Sequence, residues 1–106
     1  MKRKCLIVGY PGEIGKKGYC QGVLRDLENY QSFLMSPLGG AWKQSEIFPM
    51  LSKPKSLVQQ HLGRIANDEY LLFIFCGHGY FNENIRQTVI QINSNDEMTE
   101  IGRAHV

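Results

Sequence analysis

Four segments of the chain have the composition and spacing of β-strands. Residues 4–9 form a short apolar run that ends at a glycine, and residues 70–76 are wholly apolar up to the next glycine. Runs without alternating polar positions are typical of strands that are covered on both faces. Residues 44–48, just before a proline, and residues 88–92 predict two further short strands.

Two segments predict amphipathic helices. The first begins at Gly22, and the proline and glycines from Pro37 onward stop it. Its apolar residues mark one face because they recur at steps of three and four, at Val23, Leu27, Tyr30 and Leu34. The second helix is predicted over residues 56–67, where Ser56 and Gln59 fit a capping box that satisfies the first free amides.

The order strand, helix, strand, helix, strand is typical of an α/β fold. Such a fold is a parallel sheet covered by helices through right-handed crossovers. Functional residues then gather on the loops that leave the carboxyl ends of the strands. Three segments are therefore expected at that edge, namely residues 10–21, the stretch after Phe48, and residues 77–81.

The composition limits the function further. A chain of 106 residues makes at most one domain, and a net charge of +2 gives no reason to expect nucleic acid or a membrane as partner. The apolar runs are too short for a signal peptide or for a span of about 20 residues. Three cysteines, an odd number, predict reduced thiols in a cytoplasmic protein. No cysteine or histidine spacing predicts a metal site, and no cofactor is expected.

His78 carries the strongest chemical signal in the sequence. It follows the longest apolar strand and lies between Gly77 and Gly79. Histidine titrates near neutral pH and serves as a general base or acid, and flanking glycines let the backbone approach a substrate with free amides. The alternative is a turn histidine that only ends the strand. His61 is expected to be a half-buried packing residue, and His105 lies in the tail.

The segment Phe75-Cys76-Gly77-His78-Gly79 resembles the histidine motif of caspases, metacaspases and their bacterial relatives. Residues 4–9 are similar to their first strand, and residues 56–65 fall where their second helix precedes the histidine strand. Residues 22–26, Gly-Val-Leu-Arg-Asp, fall where metacaspases carry Gly-Cys-x-Asn-Asp. The resemblance covers residues 4–81. It implies a three-layer caspase-like fold, a mostly parallel sheet flanked by helices, of which this chain carries only the N-terminal half.

The resemblance also implies a cysteine peptidase that acts on a peptide or protein substrate. In that family a cysteine thiolate attacks the scissile carbonyl, a histidine transfers protons, and backbone amides hold the oxyanion. His78 is then the acid/base, and Gly79 supplies an oxyanion amide. Asp26 matches an aspartate associated with a pocket for a basic residue, which implies a preference for Arg or Lys. The alternative for Asp26 is a solvated carboxylate near the start of a helix.

The family pattern breaks after His78. The nucleophilic cysteine is expected from a later strand, but none of the 28 residues after His78 is a cysteine. Residues 82–106 are expected to form a connecting hairpin or strand and an interrupted tail. Cys5 is expected to be buried and inert, and Cys76 lies too close in sequence to reach hydrogen-bond geometry with the histidine. Cys20 is the alternative nucleophile, because two lysines nearby favour its thiolate form.

Three functions stay open at this point. The first is a peptidase that a missing C-terminal segment or a complementary chain completes, with this chain inactive alone. The second is a non-catalytic caspase-like module, a pseudo-enzyme that acts by binding. The third is a nucleotide-binding domain, because residues 9–17 are similar to a phosphate loop, although the spacing is one residue too long and Lys17 replaces a magnesium-binding Ser or Thr. An apolar strand at residues 70–76 without a neighbour also predicts self-association.

Overall fold

The computed structural model describes residues 2–99, and the predictions for His105 and the end of the tail lie outside this range. The elements follow in the order β1 (Lys2–Tyr10), α1 (Gly22–Met35), a short 3-10 helix (Gln44–Glu46), β2 (Ile47–Leu51), α2 (Lys55–Gly63), β3 (Glu69–Gly77), β4 (Gly79–Asn82), β5 (Gln87–Gln91) and β6 (Glu97–Thr99). None of the helices within this range has the length and apolarity that a membrane crossing requires.

The first three strands form a parallel sheet in the order β2-β1-β3. The predicted α/β architecture, a parallel sheet flanked by helices, is confirmed. β1 is the central strand, and its residues 4–10 are buried because strands pair with it on both sides. One face of the sheet packs against α1 in a core that includes Ile7 and Leu27. The other face packs against α2 in a core that includes Leu6 and Val58.

A close contact between β1 and α1 fixes the start of the first loop. A Cβ built on Gly9 would lie 2.8 Å from Leu27 Cδ1. A larger residue at this position would push the helix away, because a packed interior leaves little room to relax. Glycine at the end of β1 therefore sets the distance between sheet and helix, and with it the path of residues 10–21.

The remaining strands form a second, antiparallel sheet in the order β4-β5-β6. The strand predicted at residues 88–92 is present as β5 and belongs to this second sheet. Ile90, Ile92 and Met98 join the core on the α2 face. The small sheet therefore covers the same side of the parallel sheet as α2.

Predictions at two element boundaries are wrong. β2 begins at Ile47 and runs through Pro49, which is tolerated because an edge strand has one side that need not pair. Ser56 does not cap α2, because the helix already begins at Lys55 and its cap position makes no side-chain bond. The Lys55 amide instead donates to Asp96 Oδ2 at 3.2 Å. A carboxylate that is distant in sequence thus satisfies the first turn.

The helices also differ from the predicted faces and lengths. α1 buries Val23, Leu27 and Leu34, but Tyr30 is 44% exposed. α2 ends at Gly63, four residues before the predicted end. His61 is partly buried against Phe48, with ring centroids 5.2 Å apart, which confirms its predicted packing role.

The carboxyl ends of the three parallel strands meet at one edge. Tyr10 at the end of β1 pairs with Gly77 at the end of β3, and Gly9 pairs with Leu51 at the end of β2. The first loop and His78 therefore leave the sheet side by side, as predicted.

Candidate functional site

The backbone just before His78 is fixed by a contact that only glycine permits. Gly77 has a φ of +153°, and a Cβ there would lie 2.7 Å from the carbonyl oxygen of Tyr10 on the neighbouring strand. Residues that carry a side chain rarely adopt this backbone conformation, and a carbon atom cannot approach an oxygen atom this closely without a clash. β3 therefore ends tightly against β1, and His78 is the first residue to leave the sheet.

The exposed ring of His78 is held by one hydrogen bond. Its Nε2 lies 2.7 Å from the carbonyl oxygen of Gly18 in the first loop. A carbonyl oxygen can only accept, so Nε2 carries the hydrogen in this bond. In the neutral ring Nδ1 then has no proton, and its lone pair is available. Gly18 thus selects the tautomer in which Nδ1 can act as a base.

A groove opens beside this ring. It has a volume of about 320 Å³ and is lined by Tyr10, Gly12, Glu13, Lys16, Lys17, Gly18, His78 and Gln91. The first loop that forms it is closed at its base, where the Cys20 amide donates to the Pro11 carbonyl at 2.7 Å. Three of its glycines have a positive φ, which explains why the loop is rich in glycine: Gly12, Gly15 and Gly18.

The groove has charged side chains of both signs. The hydroxyl of Tyr10 donates to Glu13 Oε1 at 3.1 Å. Burial, followed by this hydrogen bond and the carboxylate charge, raises the pKa of Tyr10, so the hydroxyl remains a donor at neutral pH. Lys16 and Lys17 supply two positive charges against the single carboxylate. The groove therefore offers charged groups of both signs and a hydroxyl hydrogen-bond donor beside His78.

The amide of Gly79 points away from the neighbouring strand. The Gln91 amide donates to the His78 carbonyl at 3.0 Å, and Gly79 lies opposite Ile90. In an antiparallel ladder this makes Gly79 and Ile90 a pair without mutual hydrogen bonds, so the Gly79 amide faces the other side of β4. β4 is an edge strand, and nothing in residues 2–99 pairs with that side as a strand. The amide next to His78 is therefore directed to the open edge.

None of the three thiols lines this groove. Cys5 is buried in β1, where burial raises its pKa to about 11. Cys76 is also buried, and burial, followed by the Asp26 carboxylate, raises its pKa. Both thiols stay protonated and unreactive near neutral pH. Cys20 is exposed and lies two residues beyond Gly18.

Asp26 lies in a different groove from His78. This second groove has a volume of about 400 Å³ and is lined by Asp26, Asn29, Tyr30 and Phe33 of α1. Of the predicted site residues, His78 lines the groove. Gly79, its neighbour in the chain, is absent from the lining, as are Asp26 and Cys20.

The geometry of the first loop argues against a phosphate loop. Such a loop delivers its lysine into the first turn of a helix, whose amides help to cradle the phosphate. Here α1 begins only at Gly22, several residues after Lys17. Residues 2–99 also hold no group of three His, Cys, Asp or Glu side chains that could bind a metal ion.

The contact between Gly18 and His78 is the feature of this site that the sequence did not reveal. The Gly18 carbonyl orients His78 from a position 60 residues away in the chain, and any residue type could supply a carbonyl. Only the expectation that the first loop and His78 share an edge pointed toward this contact.

Comparisons with protein-family models, with curated proteins and with solved structures gave no match.

Proposed function

We propose that this chain is the histidine-bearing part of a caspase-like cysteine peptidase site that binds an extended peptide beside His78. The observation that carries the proposal is the hydrogen bond from His78 to the Gly18 carbonyl. It holds an exposed histidine, with Nδ1 free of a proton, at the carboxyl edge of a parallel sheet.

The roles follow from the positions of the two groups. Nδ1 of His78 accepts the proton of a thiol that a complementary segment supplies, and later returns it to the leaving amine. The Gly79 amide, directed to the open edge of β4, donates to the substrate carbonyl oxygen, where negative charge develops. Gly18 acts as a positioning residue because its carbonyl fixes the tautomer of His78.

Alone, the 106-residue chain is expected to show no peptidase activity. Cys5 and Cys76 are buried and protonated, and the exposed Cys20 does not line the groove beside His78. The covalent route therefore lacks a nucleophile. Fluorogenic peptides that end in Arg or Lys should give no turnover above buffer. Turnover that disappears in His78→Ala would contradict this expectation, and its loss in Cys20→Ala as well would identify Cys20 as the nucleophile.

The free state of all three thiols supports a cytoplasmic location.

The position of the thiols also favours a second function, that of a non-catalytic peptide-binding module. The groove and the Gly79 amide are then used for binding alone, and no complementary segment is needed. Mixing the chain with candidate complementary segments separates the two functions, because only the first predicts that turnover appears and depends on His78.

Substitutions at Gly79 test the binding site that both functions share. Proline at this position removes the amide hydrogen, while the β4–β5 ladder stays intact because the amide does not point toward β5. Gly79→Ala is the matched control, since both variants add a Cβ close to the carbonyl oxygen of Val89, 3.0 Å away. Fluorescence anisotropy of labelled peptides with Arg, Lys, Asp or Ala at the last position measures the affinity.

We expect Gly79→Pro to weaken peptide binding about threefold to tenfold relative to Gly79→Ala, the value of one hydrogen bond. His78→Ala should weaken binding as well, because the ring forms one wall of the groove. Equal peptide affinities for Gly79→Pro and Gly79→Ala would show that the Gly79 amide takes no part in binding. Unchanged affinity in His78→Ala would place the peptide elsewhere.

A further inference from the structure

The outer edge of β3 is apolar and has no strand beside it within residues 2–99. The side chains of residues 71–75 are only partly buried, although they pack against both cores. Leu71, Phe73 and Phe75 pack toward the α2 face, and Leu72 and Ile74 pack toward the α1 face. No residue from 70 to 77 is charged. Exposed edges of this kind are normally blunted by charges or prolines because they invite pairing with another strand.

The groove on α1 extends this apolar edge. Leu72 and Ile74 of β3 pack against the core that α1 covers, so α1, with Asp26 in the lining of its groove, lies on the face of the sheet that includes β3. Tyr30 and Phe33 follow Asp26 at helical spacing and are 44% and 54% exposed. The open strand and the exposed aromatic residues of α1 together are called the β3 edge surface.

We propose that a second copy of this chain covers the β3 edge surface by antiparallel pairing of the two β3 strands about a twofold axis at Phe73. The inference goes beyond the proposed function and concerns the 106-residue chain alone, because a complementary segment that paired with the β3 edge would take the place of the second copy. Twofold pairing uses the same patch on both copies, so the patch must be complementary to itself.

The charge pattern of β3 meets this requirement. In the proposed register Glu69 of each copy lies opposite the uncharged Gly77, so the two carboxylates sit at opposite ends of the interface. Between them, Leu71 lies opposite Phe75, and Phe73 lies opposite itself. Apolar pairs of this kind stabilise neighbouring strands, while like charges would oppose them. The pairing also brings the aromatic sides of both α1 helices to the same face.

The available area is sufficient for a weak but specific dimer. The nine residues of β3 span about 30 Å at roughly 3.3 Å per residue. The smallest dimension of the molecule is 21 Å. Taking this smallest dimension as the depth of the edge gives about 600 Å² per copy, or about 1,200 Å² in total, the lower limit of stable interfaces. We therefore expect a dimer with a dissociation constant on the order of micromolar.

Sedimentation equilibrium of the full chain, at concentrations from one to several hundred micromolar, tests the proposal. The mass should change from monomer to dimer and stop there. Phe33→Glu should weaken the dimer at least about tenfold, as for a partly buried aromatic residue at an interface, and should fold normally because Phe33 is largely exposed. Leu38→Glu is the matched control, since Leu38 is 93% exposed and not part of the surface, and it should leave the dimer unchanged.

A cysteine at the axis tests the register independently. In a Cys20→Ser background, Phe73→Cys should form a disulfide between copies, because antiparallel pairing places opposite Cα atoms about 4.5–5.5 Å apart. Ile85→Cys, which lies on the β4–β5 turn and is 49% exposed, should not. A monomer at all concentrations would overturn the proposal. So would assembly beyond a dimer, or a dimer that neither Phe33→Glu weakens nor Phe73→Cys crosslinks.

Discussion

Gly77→Ala tests how the sheet positions His78. The added Cβ would lie 2.7 Å from the Tyr10 carbonyl oxygen and 3.1 Å from Cζ of Phe75, at a φ of +153°. Holding a residue with a side chain in a rarely adopted backbone conformation costs about 1–3 kcal/mol of folding free energy. Relief of the Tyr10 contact also requires the ends of β1 and β3 to separate. We therefore expect Gly77→Ala to lower the free energy of unfolding by about 2–3 kcal/mol.

Urea denaturation, followed by circular dichroism, measures this loss. With a slope of about 1–1.5 kcal/mol per M for a domain of this size, the midpoint should fall by about 2 M. Gly63→Ala is the control, because a Cβ at the end of α2 meets nothing within 4 Å and needs no positive φ. It should leave stability unchanged or raise it by about 0.5–1 kcal/mol. Equal midpoints for Gly77→Ala and wild type would refute the argument that β3 is held tightly against β1.

Three further predictions concern the rest of the fold. Burial, then the charges of neighbouring basic residues, lowers the pKa of His61 below its ordinary value of 6.5. Between the lowered pKa and 6.5 the unfolded chain binds the proton and the folded protein does not. The melting temperature should therefore fall as the pH drops below about 6.5, and it should fall less in His61→Gln. Leu6→Ala should cost about 2–5 kcal/mol in urea denaturation because Leu6 is fully buried, whereas Leu38→Ala should cost little. Asp96→Ala should speed hydrogen exchange at the first turn of α2, where the Asp96 carboxylate accepts from the Lys55 amide.

The elements that the sequence predicted well are those defined by local patterns. β1 and β3 follow from continuous apolar runs, and α1 follows from apolar residues at helical spacing with glycines and a proline at its end. The shared edge of the first loop and His78 follows from parallel topology alone, because all carboxyl ends of such a sheet lie together.

The features that sequence reasoning missed depend on partners far away in the chain. The first turn of α2 is satisfied by Asp96 and not by Ser56, and the two bonded residues are 41 positions apart. The Gly18 carbonyl holds His78 across 60 positions. The second sheet was not predicted, because its strands β4 and β6, with four and three residues, are too short to stand out in an apolar pattern. Local rules contain no information on such contacts.

The central claim, that His78 and Gly79 form a site for a peptide carbonyl, is tested most directly by NMR of the ¹⁵N-labelled chain during peptide titration. The free protein should show His78 with the hydrogen on Nε2. The Gly79 amide resonance should move with saturable dependence on peptide concentration, because its open-edge amide gains an acceptor. The claim would be contradicted if the hydrogen lies on Nδ1, or if the peptide saturates other resonances while Gly79 stays in place.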